Sequence, residues 1–486
     1  MRRGLSLPLV LAAALSAACS SDPSGTAEED LDAGSDDTAD VDWEAEFDSV
    51  FQTDRVPVIR IDFHEPGAFD AMVEAAEADP DDTPYYAADF AFDDETVENV
   101  GVRLKGNSSL WSSGPDQRKS FKVHFEEFVD GQRFHHVDRL NLHNGFMDPS
   151  LMRESLAYGL ANDLDLVAPR SAHALVYVDG ELHGLFTMVQ QIDSRFLAER
   201  FGEEDDADEG NLYKCCDGCP LAYWGDDPAY YQGFPPEGIP SPPCDDATDE
   251  CGLQLKTNED DPETNDLADV VQLTKAIDDV LQGDGDTATL EAIFDVEHFV
   301  RFQAWSLALS NLDSYFGSAH NFYLYRRPTD GRFQFVPWDV NLAYGTFECP
   351  ESCSGQEPTL ETDLFFPCFD ETAAGMDRPK PLAAIVATVP EYRDLYCDTL
   401  RDMLETAYTA ADQREKIEAL DAVIGEARQA EAILTQPPFD FTCEDYVTAQ
   451  GDAADVTFGA KVIHALDRFN QDRIANIEAQ LDAACP

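Results

Sequence analysis

The 486-residue chain is long enough for two or three domains, and its 43% hydrophobic content allows a sizeable core. Its 97 acidic residues against 32 basic ones give a formal net charge of −65. That excess argues against partners held by overall positive charge, nucleic acid and anionic headgroups above all. It serves solubility in a salty medium, or divalent-cation binding across the surface.

Met1-Arg2-Arg3 is a charged lead-in, and the apolar run from Leu5 to Leu15 is too short to span a bilayer. It ends in Leu15-Ser16-Ala17-Ala18-Cys19, small residues leading into a cysteine. This pattern resembles a bacterial lipobox, which predicts a signal peptide over residues 1–18 and a lipid on Cys19. An ordinary secretory cleavage site nearby is the competing reading. Ser20 follows where an Asp would favour inner-membrane retention, so the expected address is the outer membrane or cell surface. Residues 19–55 are acidic and poor in large apolar side chains, which predicts a disordered tether. The chain has twelve cysteines. In an exported protein those after Cys19 read as disulfides. Cys215-Cys216-x-x-Cys219 also suggests zinc, but no histidine lies close by in sequence.

A first folded unit is expected over residues 56–200. It opens with an alternating strand at Val56–Ile61, a helix over 66–77 and a strand over 86–92. In Val97–Lys105, Val100, Val102 and Leu104 share one face. That strand enters a small-residue turn, Gly106-Asn107-Ser108-Ser109, and Lys119–Phe125 alternates again. A strand, a Gly/Ser loop and a lysine-bearing strand are the parts that cover nucleotide phosphates; Asn107, Ser108, Lys105, Lys119 and Lys122 are the candidates. The next helix is expected over 148–163 with Asp148 as its N-cap. It carries Glu154, a candidate partner for Lys122 or Lys119. A hairpin about Asp179-Gly180 closes the unit. Residues 201–265, rich in Cys, Pro, Asp and Gly, are expected to be a disulfide-stapled insertion outside the core. Residues 266–486 read as mainly helical, with helices over 268–281, 296–311, 381–408, 412–434 and 455–481.

Within that last unit lies Asn311–Gly345, read as a helix end, a polar turn and two aromatic strands joined by Pro328-Thr329-Asp330-Gly331. Asp313 and Asn321 fall on the turn, and Asp339 follows the second strand. One carboxylate suits acceptance of a hydroxyl proton; the other, with the amide, suits a hard divalent cation on a triphosphate. Two carboxylates across a cleft also suit glycan hydrolysis, and Asx-rich turns also serve the backbone alone.

Taken together, these segments resemble the spore-coat CotH kinases, a family of secreted or surface atypical protein kinases. The matching stretches are Val102–Ser109, Lys119–Val123, Asn141-Leu142, Asp148–Glu154, Val176–Gly180, Gly184–Phe186 and Ile192-Asp193. They continue through Asn311–Asp313, His320–Tyr325 and Pro337–Asp339. The resemblance implies an α+β, divergent protein-kinase-like fold of two lobes. Its N-lobe would be a mixed or antiparallel sheet and its C-lobe mainly helical. It also implies ATP with Mg²⁺ or Mn²⁺, and transfer of the γ-phosphoryl group to Ser or Thr of surface or secreted proteins. Asp313 then corresponds to the catalytic Asp, Asp339 to the metal-binding Asp and Asn321 to an accessory metal group. The chain departs from the family at Gln190, usually Glu, and at Asn341, often Asp. These departures keep a weakly active or inactive surface lipoprotein as the alternative.

Overall fold

The computed structural model describes residues 42–78, 83–106, 110, 118–202, 210–232, 252–258, 267–347, 360–365, 380–431, 441, 443–458 and 461–485. Among them, no helix is long and apolar enough to cross a membrane. The expected signal peptide, Cys19, Asn107 and Ser108 lie outside the described residues.

The architecture is mixed α+β. Seven strands close into a barrel: β1 (Val58–Phe63), β2 (Tyr86–Phe92), β3 (Glu95–Lys105), β4 (Ser120–His124), β5 (Arg139–His143), β6 (Ser171–Val178) and β7 (Glu181–Gln190), ordered β1-β2-β3-β4-β5-β7-β6. β1 closes against β6 in parallel, and the other pairings are antiparallel. Because side chains alternate across a strand, Val100, Val102 and Leu104 share the barrel core with Phe121, Val123, Leu140 and Leu142. The intervening residues turn outward together. In register, Arg103 stands opposite Lys122, and Lys122 opposite Asn141.

Helix α1 (Trp43–Val50) overturns part of the expected tether. Phe47, Val50 and Phe51 are buried in the barrel's core cluster, so the ordered chain begins well before residue 56. Their spacing puts them on one helical face, and Asp42 caps the first turn by accepting from the Ala45 amide. Helix α2 (Ala68–Ala78) buries Met72 and Ala76 in the same cluster.

Helix α3 (Arg153–Asp163) begins later than expected. Asp148 is not its N-cap; its carboxylate accepts from the Arg153 and Ser150 amides and pairs with the buried Arg153 guanidinium. Helix α4 (Ser194–Phe201) follows the barrel.

The expected insertion also needs correction. It supplies β8 (Asn211–Asp217) and β9 (Gly252–Leu255), which join β10 (Phe322–Arg326) and β11 (Phe333–Pro337) in a four-stranded sheet ordered β11-β10-β8-β9. Leu212, Tyr213, Leu253 and Leu255 sit in the second, larger core cluster. Cys215 bonds to Cys219, which replaces the zinc reading of that cluster with a disulfide, and Cys397 bonds to Cys485.

The remaining helices are α5 (Ala268–Gln282), α6 (Thr287–Glu291), α7 (Val296–Ala308), α8 (Pro381–Thr388), α9 (Pro390–Thr406), α10 (Ala410–Glu431), α11 (Cys443–Thr448) and α12 (Leu466–Ala484). The single helix expected over 381–408 is two. Pro390 has no N–H to give and disfavours helical geometry at Val389, which is extended at φ −80°, ψ 117°. The helix expected from 455 starts at Leu466, after a hairpin of β12 (Val456–Phe458) and β13 (Lys461–Ile463).

Two buried histidines make stability pH-dependent. The Nε2 of His173 on β6 donates to the Leu151 carbonyl, and that of His298 in α7 to the Phe335 carbonyl. Burial holds both imidazoles down to about 4. The unfolded chain therefore binds these protons first, and their contribution, complete above about pH 6.5, is lost as pH falls toward 4. The urea midpoint is expected to fall between about pH 7 and pH 4.5, and His298→Gln, whose amide still donates to Phe335, to reduce that fall.

Candidate active site

The polar face of β3, β4 and β5 meets the segment after β11, and four side chains converge there. Lys105 ends β3, His143 ends β5, Glu154 lies in the first turn of α3, and Asp339 follows Trp338. Lys105 Nζ is 2.6 Å from His143 Nε2, and His143 Nδ1 is 2.8 and 2.9 Å from the two Glu154 oxygens. Lys105 also lies over the Trp338 ring, 5.0 Å from its centroid. Ligand atoms of His143, Glu154 and Asp339 all lie within 4.8 Å of one another.

Burial pushes every one of these groups toward its uncharged form. It draws the Lys105 ammonium down to about 8, with Asp339 and Glu154 pulling the other way. It raises the Glu154 carboxyl to about 8 against the opposing pull of Lys105. Asp339 is raised by burial as well, and the nearby carboxylates of Glu154 and Asp313 add to the effect. His143 is held down to about 3 by burial, with Lys105 adding to it. A buried and a half-buried carboxylate crowded together with a buried imidazole form a donor set that fits a divalent cation. Lys105 stands beside it with Lys214 of β8 as a further positive neighbour, a local basic concentration in a strongly acidic chain.

Asp313 lies close enough to Asp339 for their charges to interact. Its carboxylate is 3.0 Å from His320 Nε2 and accepts from Ser318 Oγ at 3.2 Å. Asn321 Nδ2 donates to the Asp313 carbonyl at 3.0 Å. The turn is tight: a Cβ on Gly317 would fall 1.9 Å from the Leu312 carbonyl oxygen. Ser310, Ala319, Asn321, Asp339 and Tyr344 all have positive φ, a concentration of backbone strain typical of functional segments. Asp339, at φ 53°, is held by its amide, which donates to the Tyr158 hydroxyl at 3.0 Å. Tyr158 is one turn beyond Glu154 on α3, so one helix face fixes both the acid and the Asp339 backbone.

Arg473 of α12 supports the segment from below. Fully buried, it donates to the carbonyls of Leu307, Ala308 and Leu360, capping the end of α7 just before Asp313. Arg473→Met is expected to lower the unfolding free energy by about 3 kcal/mol, measured by urea denaturation.

The sequence-derived candidates divide accordingly. Lys105, Glu154, Asp339 and Asp313 come together. The Glu154 partner is corrected: His143 stands against it, where Lys122 or Lys119 was expected. Lys119 is turned elsewhere, its Nζ donating to the Leu110 carbonyl, whereas Lys122 remains near enough to act on His143. Sequence reasoning missed His143 and Tyr158. The available signal for His143 was the alternation Leu140-Asn141-Leu142-His143, which puts it on the same face as Asn141. Of the two departures, Gln190 accepts from the Arg170 amide and donates to Glu199, where a Glu would set carboxylate against carboxylate. Asn341 Nδ2 donates to the Phe146 carbonyl at 3.1 Å, a bond an aspartate has no proton to make.

The profile of the CotH kinase protein family matches residues 102–437, more than half of the chain and the whole of this site. The chain belongs to the CotH kinase family. Inner spore coat protein H of Bacillus subtilis (strain 168) is 24% identical over 229 residues, covering 47% of this chain and 55% of that protein. The match thus spans about half the length of that curated relative, a distant homologue. Family membership suggests kinase activity, and with it ATP and a divalent metal.

Proposed function

We propose that this CotH-family chain is an exported, lipid-anchored protein kinase that transfers the ATP γ-phosphoryl group to Ser or Thr hydroxyls of surface or secreted proteins. The observation that carries the reading is the meeting of Lys105, Glu154 and Asp339 at the junction of barrel and helical region, with Asp313 beside them. In this reading the barrel is the N-lobe, the helical region is the C-lobe, and nucleotide lies between them.

Asp339 and Glu154, with His143, would hold Mg²⁺ or Mn²⁺, which when bound neutralises charge on the nucleotide's phosphates. Lys105 contacts phosphate oxygens, and Lys122 adds positive potential from the next strand. Asn321 braces the Asp313 turn through its carbonyl contact, with an accessory metal role proposed for its oxygen. Asp313 accepts the proton of the attacking hydroxyl. A bond forms from that oxygen to the γ-phosphorus as the bond to the β,γ-bridging oxygen breaks, and ADP leaves. His320 and Ser318 fix the orientation of Asp313. Export through the N-terminal signal and lipidation at Cys19 would place the enzyme at the outer membrane or cell surface, among protein substrates and away from nucleic acid.

Asn341 favours a second reading, a weakly active or inactive relative with an assembly role, because its amide is engaged by Phe146 and carries no charge for a metal. Incubation of the protein with γ-labelled ATP, Mn²⁺ and a mixture of surface proteins separates the two. Label in phosphoserine or phosphothreonine supports the kinase; nucleotide binding with no transfer supports the assembly role.

A further inference from the structure

The turn that carries Asp313 is gripped from outside by a short disulfide loop. Cys215 of β8 bonds to Cys219, and the chain between them turns at Gly218, φ 67°. The Cys219 amide donates to the Ala319 carbonyl at 2.8 Å, and the Cys215 sulfur touches the same oxygen at 3.2 Å. One residue further on, the Pro220 carbonyl accepts from the Tyr315 hydroxyl at 3.1 Å. Ala319 needs such a hold. It is buried and has φ 60°, a conformation costly for a residue with a Cβ. Its amide donates to the Ser314 carbonyl at 2.9 Å, and that of Ser318 to the Leu312 carbonyl at 3.1 Å. Residues 318 and 319 thus fold back on both chain neighbours of Asp313. His320, next along, stands 3.0 Å from the Asp313 carboxylate.

We propose that Cys215 and Cys219 are positioning residues: their disulfide fixes the loop that grips the Ala319 carbonyl, and so keeps His320 and Ser318 where they aim the Asp313 carboxylate. The effect on phosphoryl transfer rests on the kinase reading; the grip on the turn does not. Loop length separates this role from general stapling. The constraint a disulfide places on the unfolded chain grows with the loop it closes. Cys397–Cys485 spans 88 residues and ties α9 to the end of α12, whereas Cys215–Cys219 spans four. The shorter bridge therefore adds the less to global stability, and its consequence is local, at the turn it touches. Its hydrogen bond runs to the Asp313 turn, so its loss is expected to impair proton acceptance and spare the groups that hold nucleotide.

The test replaces both cysteines, Cys215→Ala with Cys219→Ala, which leaves no odd thiol to exchange with Cys216, itself disulfide-bonded. Hydrogen exchange at the Gly317, Ser318 and Ala319 amides is expected to quicken about tenfold or more. Single-turnover transfer from labelled ATP with Mn²⁺ to a mixture of surface proteins is expected to fall about tenfold or more, with ATP–Mn²⁺ affinity within about threefold of wild type. Removing Cys397 and Cys485 instead is expected to lower the melting temperature further and leave those three amides unchanged. Unchanged exchange at the turn in the Cys215/Cys219 variant overturns the proposal. So does equal quickening in the Cys397/Cys485 variant, or loss of binding in parallel with transfer. Should the Cys215/Cys219 variant fail to fold, Tyr315→Phe cuts the neighbouring tie to Pro220 and keeps the ring; slower transfer with quickened exchange supports the proposal, and neither overturns it. A wild-type protein that transfers no label overturns the kinase reading, while exchange at the turn decides the disulfide's grip separately.

Discussion

Asp339→Asn is expected to lower affinity for ATP in the presence of Mn²⁺ by about a hundredfold or more, while leaving the melting temperature close to that of wild type. The choice of Asn matters because residue 339 has φ 53°, a conformation that Asn tolerates far better than Ala. The variant keeps the amide that donates to Tyr158 and keeps the side-chain shape; it removes one negative charge from the half-buried member of the donor set. Asp339→Ala removes the charge too but adds backbone strain of about 1 kcal/mol, so a loss of binding shared by both variants isolates the carboxylate. The readout is calorimetric titration with and without Mn²⁺. If Asp339→Asn binds the metal-nucleotide pair as tightly as wild type, the assignment of Asp339 to the cation is wrong. Binding of nucleotide to both proteins without any dependence on Mn²⁺ would rule the assignment out as well.

Much of this site was legible because its parts are local. The strands β10 and β11 alternate around a turn that announces itself in Pro328-Thr329-Asp330-Gly331, so the spacing from Asp313 to Asp339 could be read directly. The outward face of β3 was implicit in the inward set Val100, Val102 and Leu104. What stayed hidden depends on closure. Choosing Lys105 over Lys119 as the lysine that joins the helix acid and its histidine partner requires knowing how β3, β4 and β5 curve past α3. A histidine at the end of a five-residue strand looks like any other until that curve brings Glu154 to it. Composition misled in two places. The Cys- and Pro-rich stretch disguised β8 and β9, whose buried Leu212, Tyr213, Leu253 and Leu255 were outnumbered by loop-forming neighbours. The acidic run before residue 56 disguised α1, too short to register as periodic yet anchored by Phe47 and Val50.

The carboxylate at Asp313 separates binding from chemistry. Asp313→Ala is expected to leave ATP–Mn²⁺ affinity within about threefold of wild type and to reduce phosphoryl transfer by about 10³-fold. The residue faces the cation site closely enough to raise the proton affinity of Asp339, but its own oxygen is engaged by His320 and Ser318, which aim it from the turn side. Removing it therefore takes away the proton acceptor for the attacking hydroxyl while Lys105, Glu154 and Asp339 still hold nucleotide. Losing a negative charge next to a triphosphate tends, if anything, to tighten binding. Single-turnover transfer from labelled ATP, compared with the titration on the same preparation, gives both quantities. Transfer that survives the substitution would remove Asp313 from the chemistry. Parallel loss of binding and transfer would place it among the ion's ligands instead.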